Sequence, residues 1–318
     1  MRKLALAFAC ATLALPAAAQ QDYPNKEVKV VIGFDAGTGA DIIARYYADK
    51  VAPLMGKPTV VENKSGAFGM VAADSVVRSK PDGYTIMVTA SSVFVLNPFV
   101  LKQVTFDPLT ELAPVTTLHR QAFMLVVDPK LPIKTVAELT EHLKKKGESA
   151  AFGAPNAFSE VAGELYKIRT GTNARIVRYR QTPQAATEML DGALDFIFAD
   201  MTFAIEQVKT GRLRPLAVTM GQRAEITPDV PTMQEAGVPN FDLMGWFAIS
   251  APAKTPKPIL DKLEGWFNRV VALPETKQFL FNMGNEPHLG GQKVLGDFVR
   301  SENAKWRAII QEAKIEPR

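Results

Sequence analysis

The segment that most restricts the fold is residues 28–45, VKVVIGFDAGTGADIIAR. The β-branched run of Val28, Val30, Val31 and Ile32 reads as a buried strand. It breaks into a glycine-bearing turn, and Asp41 follows as N-cap or first-turn acid of a helix carrying Ile42, Ile43, Tyr46 and Tyr47. Strand, turn and helix start expose backbone N–H groups at a positive dipole end, which suits an anion. The turn is not a nucleotide fingerprint. Gly37-Thr38-Gly39 is followed by Ala40-Asp41-Ile42 with no third glycine, and no G-x-x-x-x-G-K-[ST] occurs. An ordinary βα turn of a doubly wound domain is the alternative on this stretch alone.

The pattern returns. Residues 150–152 read as a short strand and 153–158 as a loop, with Ser159 capping a helix that carries Val161, Leu165 and Ile168. Between the two copies, strands are expected at 59–63, 84–89 and 123–127, with loops at 64–69 and 90–92. Further βα units follow at 175–190 and 195–209, with a strand at 214–219. A late strand at 245–252 precedes amphipathic helices at 259–273, 275–283 and 294–313. Two α/β blocks in tandem, each with a strand–loop–helix anion cradle, form the layout of a two-lobed hinged binding protein. In open parallel sheets, ligands sit at the loops that follow the strands. Trp246, Phe247, Trp266, Phe267 and Trp306 are assigned to the core.

The chain opens MRKLALAFACATLALPAAAQ: a basic start, an apolar run and an A-x-A site, read as a secretory signal over 1–19. The single cysteine, Cys10, lies inside it, so the expected mature chain has no disulfide and no cysteine metal site. The formal charge falls from +4 to +2 without Arg2 and Lys3, which gives no reason to expect nucleic acid or a membrane surface. About 300 mature residues suggest two domains. The histidines His119, His142 and His288 have no metal spacing, with His142 and His288 expected at the surface. No G-x-S-x-G elbow or H-E-x-x-H occurs. No cofactor or metal is expected, and the chain is read as a non-enzyme.

Several pieces together carry a resemblance. They are Asn63 with Gly66-Ala67 and Gly69, Pro81-Asp82-Gly83-Tyr84-Thr85, Asn97-Pro98, Phe106-Asp107-Pro108, and Ala113-Pro114-Val115. Further along come Ala162-Gly163-Glu164-Leu165, Leu216-Ala217-Val218-Thr219, Asp229-Val230-Pro231-Thr232, Glu235-Ala236-Gly237 and Thr255-Pro256-Lys257-Pro258. In this order the chain resembles the Bug-type periplasmic receptors of tripartite tricarboxylate transporters over nearly all of its mature length. The resemblance implies an α/β, two-lobed periplasmic binding protein (Venus-flytrap) fold, each lobe a mixed sheet flanked by helices. The lobes are expected at 20–122 with 247–318, and at 123–246. It also implies a periplasmic receptor for a small organic carboxylate that closes over its ligand and delivers it to membrane permease subunits, working as a monomer.

The family's anion loop is matched at Gly37, Gly39 and Asp41, with Thr38 between them, but Asp35 and Ala36 replace its usual pair of prolines. One ligand carboxylate is expected on that turn and on the Ser65, Gly66 and Phe68 loop. Ser91, Ser92, Asn156 and Ser159 are expected to close over the other end. Phe34, Phe68, Phe94 and Phe158 fall at or beside these loops and suggest a flat apolar ligand body. Aromatic mono- or dicarboxylates such as terephthalate are therefore the first expectation, with aliphatic di- or tricarboxylates and acidic amino acids as alternatives. Arg178, Tyr179 and Arg180 alternate on one expected strand, and Arg180 is a candidate second-carboxylate clamp. Asp200, at another strand end, is expected to accept a ligand donor, hold an arginine, or select against dianions. An exported α/β hydrolase and a ligand sensor for a signalling partner are the readings from other classes.

Overall fold

The structure, a computed structural model, describes residues 23–317. The expected signal segment 1–19 lies outside them. Among the described residues, eleven strands form two mixed sheets. In chain order they are β1 Val28–Ile32, β2 Thr59–Asn63, β3 Thr85–Ala90, β4 Leu112–Gln121, β5 Phe123–Val127, β6 Ala151–Ala154, β7 Arg175–Arg178, β8 Phe196–Asp200, β9 Arg214–Val218, β10 Gly245–Pro252 and β11 Asn285–Pro287.

The first sheet runs β11-β4-β10-β3-β1-β2 and the second β7-β6-β8-β5-β9. Each has a parallel trio, β2-β1-β3 in one and β7-β6-β8 in the other, bordered by an antiparallel strand. That bordering strand is β10 in the first sheet and β5 in the second, each the first strand laid down after the chain crosses between the sheets. The two lobes are thus built on one plan, with crossings at Ala122 and in residues 219–244.

Propensity and burial agree in the opening unit. In β1 all residues but Lys29 are buried, as a β-branched strand covered on both faces requires. The helix Gly39–Met55 starts at Thr38, whose hydroxyl accepts from Asp41 N, so Asp41 is a first-turn acid and not the cap. Gly33 and Gly69 cross so closely that a Cβ on Gly33 would lie 2.5 Å from the Gly69 Cα, and this presses the first two loops of the lobe together.

The structure departs from the expected elements in four places. β4 spans ten residues, Pro114 among them, where no strand was expected; it pairs antiparallel with both β10 and β11. The helix Ala157–Thr170 is capped by Asn156, whose Oδ1 accepts from Ser159 N at 2.9 Å, so Ser159 is not the cap. β7 ends at Arg178, and Arg178, Tyr179 and Arg180 therefore do not alternate along one strand. His288 is half-buried beside the Phe298 ring, and the half-buried His142 hydrogen-bonds Asp195 at 2.8 Å.

Candidate ligand-binding cleft

The loops after the parallel strands of both sheets face one another across a cavity of about 880 Å³. The first lobe contributes Phe34, Asp35, Thr38 and Gly39 after β1, Ser65 to Phe68 after β2, and Ser91 and Ser92 after β3. The second contributes Asn156 and Phe158 after β6, Arg178 to Thr182 after β7, and Asp200 at the end of β8. Gln121, Phe123, Gly245, Trp246 and Phe247, at the strand ends that flank the two crossings, also line it.

Of the expected ligand residues, Phe34, Thr38, Gly39, Ser65, Gly66, Phe68, Ser91, Ser92, Asn156, Phe158, Tyr179, Arg180 and Asp200 line this cavity. Gly37 is exposed and lies outside the lining, while Asp41, Phe94 and Ser159 are buried behind the wall. Asp41 is 2 % exposed and works as an internal brace. Its Oδ2 accepts from Gly37 N at 2.9 Å and Arg45 Nε at 3.0 Å, and its Oδ1 from Asn63 Nδ2 at 2.7 Å. Burial raises the Asp41 carboxyl, yet those hydrogen bonds outweigh it and hold the group below the ordinary carboxylate range. The Gly37 N–H is therefore spent on the loop itself. Phe94 is buried against Trp246, ring centroids 5.9 Å apart, and the Ser159 hydroxyl donates to Phe198 O at 2.6 Å.

Two asparagine amides hold the first-lobe loops from behind. Asn63 Nδ2 donates to Phe34 O at 2.9 Å, and Asn97 Nδ2 to Phe68 O at 3.0 Å. The second contact matters because Ala67 and Phe68 have φ of +45° and +54°, a left-handed conformation costly for a side-chain-bearing residue. The strained turn presents the Phe68 ring to the cavity. The N–H groups of Gly39 and Ala40 open the helix and have no partner within it, so they are available to an anion.

The aromatic lining exceeds the expectation. Phe158 stacks on Phe123 at 3.7 Å with 9° between planes, and Phe34 leans on Phe247 at 6.1 Å. Trp246 and Phe247, assigned to the core from sequence, are buried and also border the cavity. Sequence reasoning also left Gln121, Phe123, Asp35 and Gln181 out of the site, although Asp35 was noted as a departure from the family's anion loop.

Charge is concentrated in four side chains. Arg178 pairs with the buried Glu160 through two contacts of 2.8 and 3.2 Å. Arg180 forms no hydrogen bond or salt bridge among the described residues. Asp200 caps the helix Met201–Lys209 through Phe203 N at 3.0 Å and accepts from Thr182 Oγ1 at 3.0 Å; burial raises its carboxyl above the ordinary range. Asp35 accepts from Gln181 Nε2 of the opposite lobe at 2.7 Å. Ser65 above all, then Gln181 and the nearby Arg180 charge, keep Asp35 below the usual carboxylate range. The lobes meet again at Gly39, where a Cβ would lie 2.8 Å from Thr202 Cβ and 3.2 Å from Asp200 Oδ1. No group of His, Cys, Asp and Glu suited to a metal occurs among the described residues. No helix among them is long and apolar enough to cross a membrane.

Residues 43–315 match the family model described as tripartite tricarboxylate transporter family receptor. A UPF0065 protein of Bordetella bronchiseptica is 30% identical over 318 residues, covering 99% of this chain and 94% of that one. The solved structure of R. palustris Rpa4515 with adipate superposes with a TM-score of 0.90 at 27% identity, over 93% of this chain and 100% of that one. The periplasmic binding protein BugD gives a TM-score of 0.87 at 27% identity, again over 93% and 100%. The two-lobed architecture of this chain is the one these solved proteins share.

Proposed function

The chain belongs to the receptor family of the tripartite tricarboxylate transporters, a family of solute-binding receptors and not of enzymes, and on that premise we propose that it captures a small organic carboxylate with an apolar, ring-shaped body in the periplasm. The aromatic lining of the cleft carries this reading: Phe34, Phe68, Phe123, Phe158, Trp246 and Phe247 surround one cavity whose polar groups lie at its loops. An aromatic mono- or dicarboxylate, terephthalate among them, fits such walls. Its carboxylate lies within the reach of the free helix-start N–H groups and Arg180, the Ser65 hydroxyl being spent on Asp35. Closure of the second lobe onto the first excludes water and strengthens these contacts. The closed receptor, acting as a monomer, then docks on membrane permease subunits. A linear aliphatic dicarboxylate is the second reading, favoured by the adipate in the 27% identical Rpa4515 structure.

A thermal-unfolding screen with benzoate, terephthalate, adipate, succinate and citrate tests both readings. A ligand at about 100 times its dissociation constant adds about 2.7 kcal/mol, a readable rise in melting temperature. Ring acids should stabilise most, and Phe68→Ala should weaken them more than adipate. A response to adipate alone replaces the ring with a chain. Silence across the panel removes the carboxylate assignment.

A further inference from the structure

The charges of the cleft do not suit a simple anion. Asp35 and Asp200 both line it, one from each lobe. Of the two lining arginines, Arg178 is committed to Glu160 and only Arg180 is uncommitted among the described residues. A dicarboxylate would bring two negative charges to a cavity that already holds two and offers one free cation. A monocarboxylate would have to share Arg180 with the half-buried Asp35, whose carboxyl already feels that charge. Asp200 is fixed as a helix cap by Phe203 N and held by Thr182 Oγ1, whereas among the described residues the Asp35 carboxylate accepts from the side chains of Ser65 and Gln181. Each carboxylate oxygen accepts more than one hydrogen bond, so Asp35 retains capacity for a ligand donor.

Position narrows the ligand further. Gln181 reaches Asp35 at 2.7 Å and directly follows Arg180, so the acid and the free guanidinium stand at the same end of the cavity. The free N–H groups of Gly39 and Ala40 belong to the same loop as Asp35. A ligand head that answers all of these carries its carboxylate and a cation on neighbouring atoms.

We propose that Asp35 is the specificity-determining residue of the cleft and that the ligand is a zwitterion, an α-amino acid with an aromatic or large apolar side chain. The carboxylate meets Arg180 and the helix-start N–H groups, the α-ammonium meets Asp35, and the side chain lies among Phe68, Phe158 and Trp246. This rests on the carboxylate-receptor reading above and specifies the second polar group of its ligand.

The test compares phenylalanine with 3-phenylpropanoate, the same acid without the ammonium, and with benzylmalonate, in which a second carboxylate replaces it. Calorimetric titration of the wild-type protein should show phenylalanine bound at least tenfold more tightly than either. Asp35→Asn keeps an acceptor for Gln181 and removes the charge. It should shrink the phenylalanine preference to within about threefold while leaving 3-phenylpropanoate affinity nearly unchanged. Equal weakening of all three ligands by Asp35→Asn would make Asp35 a clasp between lobes and overturn the proposal. Binding of benzoate or adipate without any response to phenylalanine would also overturn it and leave the carboxylate receptor standing. No binding by any of these acids would remove both.

Discussion

Asp41 offers the sharpest test of how the first-lobe loop is held. Asp41→Ala removes the acceptor of three donors: Gly37 N, Asn63 Nδ2 and Arg45 Nε. Arg45 is about half exposed, so water replaces that contact and its share is a few tenths of a kcal/mol. The Gly37 N–H and the Asn63 amide lose a charged acceptor inside the fold, at about 1.5 kcal/mol each. The expected loss is about 3 to 4 kcal/mol, read by urea unfolding at pH 7. Because the folded carboxyl lies below its unfolded value, this contribution is present above the unfolded pKa and is lost as pH falls through the folded one. The wild-type advantage over Asp41→Ala should therefore narrow between about pH 4 and lower values. Ligand affinity should fall with stability, because the freed loop carries Thr38 and Gly39 into the cleft. A loss below about 1 kcal/mol, or an advantage unchanged in acid, would show that the loop is held by its backbone alone.

Gly39→Ala places a methyl 2.8 Å from Thr202 Cβ across the lobes, so affinity should drop about tenfold or more by calorimetry with unfolding in urea little changed. A normal affinity would mean that the lobes do not need this approach to bind. His119 is fully buried between the rings of Phe247 (4.8 Å) and Tyr47 (6.1 Å), with no partner for either nitrogen, and burial holds its pKa down at about 3. Its folded value lies below the unfolded value of about 6.5, so stability is complete above that pH and is lost as pH falls towards 3. His119→Phe should therefore remove about 2 to 3 kcal/mol of the wild-type decline between pH 7 and 4.5; parallel declines would assign the titration to other groups.

Local pattern carried most of the fold into view. The strands Thr59–Asn63, Phe123–Val127 and Gly245–Pro252 and the helix Thr182–Leu190 stand where alternation, β-branching and Pro or Gly punctuation put them. β4 was hidden because Pro114 argues against a strand until the neighbours that tolerate it are known. Trp246 and Phe247 show a different limit. β10 is buried along its whole length, and a strand apolar on both faces does not reveal which of them borders a cavity. Arg178 and Arg180 were joined on an expected strand that ends at Arg178, so their shared face does not exist. The Asp35–Gln181 contact joins residues 146 apart, and nothing local to either residue announces the other.

The same plan that builds two like sheets also explains why selectivity gathers at the mouth. Loops after parallel strands converge from both lobes, while the strand ends that flank the two crossings supply a floor rich in aromatic rings. Burying that floor against a ligand is nearly indifferent to charge, so it sets shape and affinity and not polarity. Polarity is decided where Asp35 of one lobe approaches Arg180 and Gln181 of the other. Closure removes these groups from water together, and the cost falls most for a ligand whose own charges replace the lost solvation. A ligand shifts the lobes towards closure only by binding the closed form better than the open one. Because Asp35 and Arg180 come from opposite lobes, charge complementarity at this pair distinguishes a ligand that closes the receptor from one that merely rests on its aromatic floor.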